Sequence, residues 1–378
     1  MTAAVADIEP ETVQVSPALA PLDGIALRVA NPADNDALLA LTRATPMAGK
    51  IALRIDRDPD FFALLRARGE HIVFVATHQE KIVGCSSVAV YPAFIDGRIE
   101  TIAHTGDLKV HPDFTGRRLA LHLVSAIEFH LRSIGVDLSF NLVADGNHKA
   151  MTIAQGKHGT PIQTLLGRFF VDELLPSPFR PRASTCEIAG ATPADLPALA
   201  EILNDFARAR NFARPVTLPD LERRLHSATT LVAHHAGRPV ATLTLEDTQS
   251  LRRNVLIGLP RSYRAALAAL RLLTIPMRGL HIPRLGEPLP MLHVRFMASA
   301  PGHEPALRPL LAEARALAFA RRATVLSVAL HERDPLRAVL AGIPRFTFIS
   351  RAMCTSVITP NRVPTLVNPI PFEDFALV

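Results

Sequence analysis

The chain has 378 residues, of which 48% are hydrophobic and 20% charged, with a formal net charge of +6. That length exceeds one ordinary domain and suits two of roughly 150–190 residues, and no uncharged apolar run approaches the ~20 residues that a membrane-spanning helix needs. The surplus Arg and Lys are scattered, and a chain without Trp and with two Tyr offers little for base stacking, so nucleic acid is not the expected partner.

Residues 1–22 carry Asp7, Glu9 and Glu11 and lack a basic segment followed by an apolar run. They read as a mobile arm rather than a secretory signal or transit peptide. Cys85, Cys186 and Cys354 lie far apart, with no CxxC and no neighbouring His at metal-ligand spacing. This argues against a disulfide framework and a metal site, and a reducing cytoplasm is the expected setting.

Taken in chain order, the predicted elements occur twice. An extended segment runs into Val29-Ala30-Asn31-Pro32-Ala33-Asp34, and another into Ala189-Gly190-Ala191-Thr192-Pro193-Ala194-Asp195. In each, Asn31 or Thr192 caps a helix, the proline takes the first helical position, where a missing N–H costs nothing, and the aspartate meets the first-turn dipole. Hairpins follow: Ile72 to Ala76 returning through Ile82 to Gly84, and Thr230 to Ala233 returning through Val240 to Leu243.

Next, Gly116 and Gly302 each open a loop into a helix, with Ala120, Val124, Ile127 and Leu131 on one apolar face and Leu307, Leu310, Ala314 and Leu317 on the other. Strands at Val136 to Leu142 and Val325 to Leu330 come after them. Each copy closes on a Gly-x-Pro strand start, at Gly159 and Gly342, and a Pro-rich stretch around residue 180 divides the halves. The second copy carries about 30 extra residues, within 246–290, whose middle (Tyr263 to Leu273) reads as a helix.

The element order, together with Asp107-Leu108-Lys109-Val110-His111-Pro112 through Ala120, resembles the GNAT superfamily of acyl-CoA N-acyltransferases. The resemblance implies an α/β fold of two tandem GNAT-like domains, each a mixed, mostly antiparallel central sheet flanked by helices. The expected division is an arm over 1–22, domain 1 over 23–178, a degenerate domain 2 over 179–356 and an extension over 357–378.

In this superfamily a Q/R-x-x-G-x-G/A loop binds the pyrophosphate of CoA through backbone N–H groups at a helix N-terminus, where the dipole favours an anion. Here Gly116 and Ala120 match, whereas Thr115 stands at the Q/R position and Arg118 where a glycine is usual. The loop is thus either adapted or impaired, with Arg117 and Arg118 available to pair with phosphates. The resemblance assigns cofactor contacts to Leu108, Val110, Thr115, Gly116, Arg117, Arg118, Leu119, Ala120 and Asn147, with Val110 N–H polarising the thioester carbonyl. Asn147 and Ala150 match the superfamily's Asn-x-x-Ala helix, but its tyrosine, the usual proton donor to the leaving thiolate, is replaced by Ala154.

The equivalent loop of the second copy, Ala300 to Ala306, places Glu304 and Pro305 where phosphate binding needs free N–H groups. Attack by an amine on a thioester needs a base on the fourth strand, for which Asp107, His104 and Glu100 are the candidates. The activity implied is transfer from acetyl-CoA or another acyl-CoA to the amine of a small molecule or peptide. Alternatives are a catalytically silent CoA-binding or interaction module and an acyl-CoA enzyme of different outcome, such as O-acylation or decarboxylation. The wall of the acceptor site is expected from Met47 to Arg68, with Phe61 and Phe62.

Overall fold

A computed structural model describes residues 13–46, 52–157, 160–180, 185–258, 271 and 281–378. The first half runs β1 (Ile25–Val29), α1 (Asn35–Ala44), β2 (Ala52–Asp56), α2 (Ala63–Arg68), β3 (Glu70–His78), β4 (Lys81–Ile95), β5 (Arg98–Val110), α3 (Leu119–Ser133), β6 (Leu138–Ala144), α4 (His148–Ala154) and β7 (Thr164–Leu174). The second half runs β8 (Glu187–Gly190), α5 (Leu196–Arg208), α6 (Leu218–Ser227), β9 (Thr229–His235), β10 (Arg238–Glu246), β11 (Arg253–Gly258), β12 (Met291–Ser299), α7 (Leu307–Ala320), β13 (Val325–His331) and β14 (Arg345–Ser356).

The sheets expected of the two copies join edge to edge into one of 12 strands, in the order β1-β3-β4-β5-β6-β14-β7-β13-β12-β10-β9-β8. β14 of the second half inserts between β6 and β7 of the first, and β7 pairs with β13. The halves therefore share a hydrogen-bonded seam. Among the described residues two neighbouring strand pairs are parallel, β5 with β6 and β12 with β13, at corresponding places in the two halves.

The repeated helix starts hold as capping boxes: Asp34 accepts from Asn31 N–H at 2.8 Å, and Asp195 accepts from Thr192 N–H at 2.8 Å. The apolar stripe of α3 sits slightly off the expected one, because Leu119, Leu123 and Ala126 join Ile127 and Leu131 in the core, while Ala120 and Val124 are only half buried. On α7, Leu307, Leu310 and Ala314 are fully buried and Leu317 packs at their edge.

One expectation changes. Residues 13–22 are not free: Val13, Val15 and Leu22 pack on the core under α3, and Ser16 N–H donates to Ser125 Oγ at 2.7 Å. Apolar side chains every few residues give this segment a surface to bury, which the acidic opening of the arm does not reveal. The extra piece of the second half ties the halves together: β11 pairs with β2 of the first half as a separate two-stranded sheet. The predicted helix at Tyr263 to Leu273 falls, apart from Arg271, outside the described residues. Among the described residues no helix is long and apolar enough to cross a membrane.

Candidate active site

β5 pairs with β4 from end to end but with β6 only at Ala103–Ser139 and His104–Phe140. Beyond His104 the two strands part, leaving a fork in the middle of the sheet. The register against β4 slips here, with Gly106 opposite Ser87 and Lys109 opposite Cys85, so Asp107 and Leu108 together face Ser86. This is a β-bulge, and Asp107 takes φ +51° within it. His111 N–H donates to Val83 C=O at 2.8 Å. Ladder alternation then turns the N–H of Val110, one residue earlier, away from β4 and toward the fork. A backbone donor therefore lies at the mouth, where a carbonyl oxygen can be polarised.

β5 ends in a short 3-10 turn, Pro112–Phe114, and a loop leading into α3. Gly116 has φ +88°, and a Cβ there would meet nothing, so glycine is required for backbone conformation and not for space. Arg118 is the N-cap of α3 in the left-handed region, φ +58°, with no side-chain cap. The question the sequence left open is thereby answered for the backbone: arginine holds the conformation that glycine usually takes. Among the described residues, the N–H groups of Gly116, Arg118, Leu119 and Ala120 donate to no backbone carbonyl. With the helix dipole behind them, they form a cradle that fits a pyrophosphate. Thr115 is exposed and its N–H donates to Pro112 C=O at 3.2 Å; Leu108 is 37% exposed beside the fork. The Arg117 guanidinium lies 4.9 Å from the Phe114 ring centroid, while Arg118 is exposed.

The substitution Arg118→Gly removes roughly 1–2 kcal/mol of left-handed strain and restores roughly 0.5–1 kcal/mol of glycine entropy cost. The expected net gain in thermal stability is small. At low salt, the affinity for CoA is expected to fall about tenfold by calorimetry, the value of one charge-assisted phosphate contact. Unchanged affinity would assign phosphate binding to the backbone alone.

Ala103 packs under α3, so the alternation of the strand sends His104 to the opposite face, covered by α1 and α2. The bulge brings Asp107 to that face too, where its Oδ2 accepts from Ser87 Oγ at 3.0 Å and from Arg57 Nη1 at 2.8 Å. Lys109 Nζ stands 3.5 Å from Oδ1. Burial favours the neutral carboxyl, but Arg57 and Lys109 outweigh it and hold Asp107 well below the usual carboxylate range. It is fixed as an ion and a poor proton acceptor.

His104 Nε2 lies 3.3 Å from Glu373 Oε2, close but without hydrogen-bond alignment, and neither atom has a hydrogen-bond partner. The other oxygen of Glu373 accepts from Arg68 Nη1 at 2.9 Å, and Arg68 Nη2 donates to Leu377 C=O at 2.6 Å. Burial and the neighbouring Arg68 hold the imidazole below its ordinary value, against the opposing pull of Glu373. His104 is therefore neutral at pH 7 and able to accept a proton. Nearby on β4, burial pushes the buried Tyr91 phenol up to about 12, and the Arg214 guanidinium lies 3.7 Å from the ring centroid.

Glu100 is apart from these groups. It lies four residues before His104, away from the fork, and pairs with Arg362, which also holds Asp137 at 3.0 Å. Asn147 caps α4, its side-chain oxygen accepting from Ala150 N–H at 3.1 Å, and Ala154 is buried on the same helix. Phe61 is fully buried with the Arg57 guanidinium 5.0 Å from its ring centroid, and Phe62 is half buried. Of the three candidate bases, His104 and Asp107 lie together beside the fork, whereas Glu100, on the face of His104, lies farther back along β5. Glu373, Arg57 and Arg68, which set the charge of the site, carry no motif and could be found only through tertiary contacts.

The second half repeats the geometry but not the chemistry. His293 pairs across to Ser327 on the parallel strand, as His104 does to Phe140, and β12 bulges at Phe296 with φ +51°, the counterpart of Asp107. Gly302 matches Gly116 with φ +79°, but its N–H donates to Glu304 Oε1 at 3.2 Å. A carboxylate of the chain itself fills this cradle, and Pro305 removes a donor from it.

Residues 39–159 match the model of the acetyltransferase (GNAT) family. No protein of curated function matches the chain in sequence. Among solved structures, N-myristoyltransferase of Saccharomyces cerevisiae with bound myristoyl-CoA superposes with a TM-score of 0.60 at 12% identity, covering 92% of this chain and 82% of that one. The GCN5-related glucosamine N-acetyltransferase region of a fungal multi-domain GH3 β-N-acetylglucosaminidase gives 0.59 at 16% identity, covering 90% of this chain and 39% of that one. At these identities the likeness is one of fold, and it extends through both halves. The segment 39–159, which contains the fork and the open cradle, matches the acetyltransferase (GNAT) family, and the chain as a whole has the fold of these N-acyltransferase structures.

Proposed function

We propose that the chain transfers an acyl group from an acyl-CoA, with acetyl-CoA the simplest donor, to the amine of a small molecule or peptide, and that the fork of the first half is where transfer occurs. The observation that carries this reading is the contrast between the two loops. The N–H groups at Gly116 and Arg118 to Ala120 are unspent, whereas those of the second half are closed by Glu304 and Pro305. We read residues 23–178 as the acyl-CoA domain, 179–356 as a degenerate domain that walls the acceptor side, and the cytoplasm as the setting.

Acyl-CoA supplies an activated thioester; the residues of the chain position it and manage the proton. The cradle at 116–120 and the dipole of α3 hold the diphosphate, with Arg118 adding a contact. Val110 N–H faces the place of the thioester oxygen as negative charge develops there. His104 accepts the proton of the incoming ammonium or amine, and Glu373 steadies the imidazole as it becomes charged. With Ala154 at the position of the usual donor, the thiol of CoA, with a pKa near ~8.5, departs as thiolate.

The test is release of free thiol by the intact chain from acyl-CoAs of increasing length, acetyl to myristoyl, in the presence of amine acceptors. Acceptor-dependent release is expected. No release, together with no heat of CoA binding in calorimetry, would overturn the reading.

A further inference from the structure

Among the described residues two largely buried arginines near the seam meet no carboxylate: Arg214, whose guanidinium donates to Arg68 C=O, and Arg252, whose guanidinium has no partner. Arg57, Arg68, Arg210, Arg224 and Arg295 each meet a carboxylate: Asp107, Glu373, Asp334, Glu246 and Asp374 in turn. Among the described residues, Arg252, in the turn before β11, has no hydrogen-bond or ion-pair partner for its guanidinium, and its Nε is shielded from solvent. It comes close enough to Arg57, Arg68 and Glu173 of the first half, and to His293 of the second, for their charges to bias one another. Burial and the adjacent Arg57 draw Arg252 down to about 10, with Glu173 opposing and Arg68 adding to the fall.

The same region gathers other buried polar atoms that lack a partner: Arg57 Nε, His104 Nε2 and Glu373 Oε2 from the site beside the fork, Glu173 Oε2 from β7 and His293 Nε2 from β12. Ser327 Oγ donates to the other oxygen of Glu173 at 3.1 Å, and Ser327 pairs in register with both Glu173 and His293. Buried polar atoms are ordinarily satisfied, so such a convergence marks a place where a polar ligand supplies the missing partners. A guanidinium favours the two oxygens of an acidic group, which it binds bidentately. Two carboxyls, Glu173 and Glu373, bound the region, and burial pushes Glu173 up to about 7. They limit the tolerated charge to a single acidic group and leave Glu173 able to donate a proton in a hydrogen bond.

We infer that the acceptor is an amine that also carries an acidic group, and that Arg252 of the second half grips this group while the amine points toward His104. The inference rests on the acyltransferase reading of the first-half site and gives the second half a role in choosing the acceptor.

The test uses the intact chain with acetyl-CoA and matched acceptors: glycine, β-alanine and γ-aminobutyrate as carboxylates, their amides as neutral partners, and phosphoethanolamine as an amine bearing a phosphate. The acids are expected to exceed their amides at least thirtyfold in kcat/KM. Arg252→Met should raise KM for the acids at least tenfold while leaving KM for acetyl-CoA and the rates with amides unchanged. Arg252→Lys should restore part of the loss. Because Met removes an unpaired buried charge, the Tm of this variant should hold or rise, whereas a purely structural arginine would lower it. Preference for phosphoethanolamine, still lost in Arg252→Met, would identify the acidic group as phosphate. Equal use of acids and amides, or an acid KM indifferent to Arg252, would overturn the inference while CoA release keeps the acyltransferase reading. Calorimetry with the acids alone separates the two failures. Binding that depends on Arg252 without acyl transfer would support the acid site and reject the activity. No binding and no transfer with any acid would reject the acid site.

Discussion

Replacing His104 with Gln is expected to lower kcat for acyl transfer by about 10²–10⁴-fold, the range over which a positioned general base contributes. KM for acyl-CoA should stay near the wild-type value, because the cradle at Gly116 to Ala120 is formed by backbone that the substitution does not touch. The pH profile supplies the second readout. Burial and Arg68 hold the imidazole below its ordinary value of 6.5, so the base is already free at neutral pH. Activity should be level with respect to this group near pH 7 and fall as the pH drops through the depressed value. His104→Gln should remove that acid limb. Glu373 favours the protonated imidazole. Glu373→Gln should therefore shift the limb to still lower pH, a movement that a merely structural contact would not produce.

The sign for stability follows from the same shift. A histidine whose value is depressed on folding binds its proton more readily in the unfolded chain, so its contribution is lost as the pH falls below about 6.5. His293, pushed by burial and Arg252 to about 3, acts in the same direction. Acidification should weaken both halves at the seam.

The frame was legible in the sequence because it rests on local signals. Asn31-Pro32-Ala33-Asp34 and Thr192-Pro193-Ala194-Asp195 state a helix start within four residues each, and both close as capping boxes. The glycines at 116 and 302 mark loops whose left-handed turns only a backbone argument can require. The bulge in β5 has no local sign, since an extra residue in a ladder leaves no mark on hydrophobic alternation. The charge partners of the site were not legible at all. Arg68 and Glu373 are 305 residues apart, and Arg57 and Asp107 are 50 apart. Each is a single charged residue without a motif, brought together only when the C-terminal segment and the α1–α2 connection pack over the fork. The shared sheet was hidden for a similar reason: strand periodicity gives the face that each strand buries but not its neighbour, so the placement of β14 between β6 and β7 has no local sign.

Asp107→Asn separates the two remaining candidate bases. Asn keeps the size of the side chain and tolerates the left-handed backbone that this position requires, but it leaves Arg57 buried without a counter-charge. Removing one partner of such a pair costs about 3–5 kcal/mol, and urea titration of the variant should show a loss of that order at pH 7. The wild type should lose the same contribution on acidification. The folded carboxyl lies well below its ordinary 3.8, so its stabilisation is present above that value and disappears as the pH falls through the folded one. Activity per folded molecule should nevertheless fall less than tenfold, because an aspartate held ionised by Arg57 and Lys109 takes no part in accepting the proton. A fall of 10² or more in a variant shown to be folded would transfer the role of base to Asp107. The double substitution Asp107→Asn with Arg57→Met removes both charges and should recover most of the lost stability, since a buried pair replaced whole is close to neutral. The resulting cycle measures the coupling of the pair directly. If the double variant regains stability and keeps its acid limb in the pH profile, the ion pair is the fixed wall of the site and His104 its titrating group.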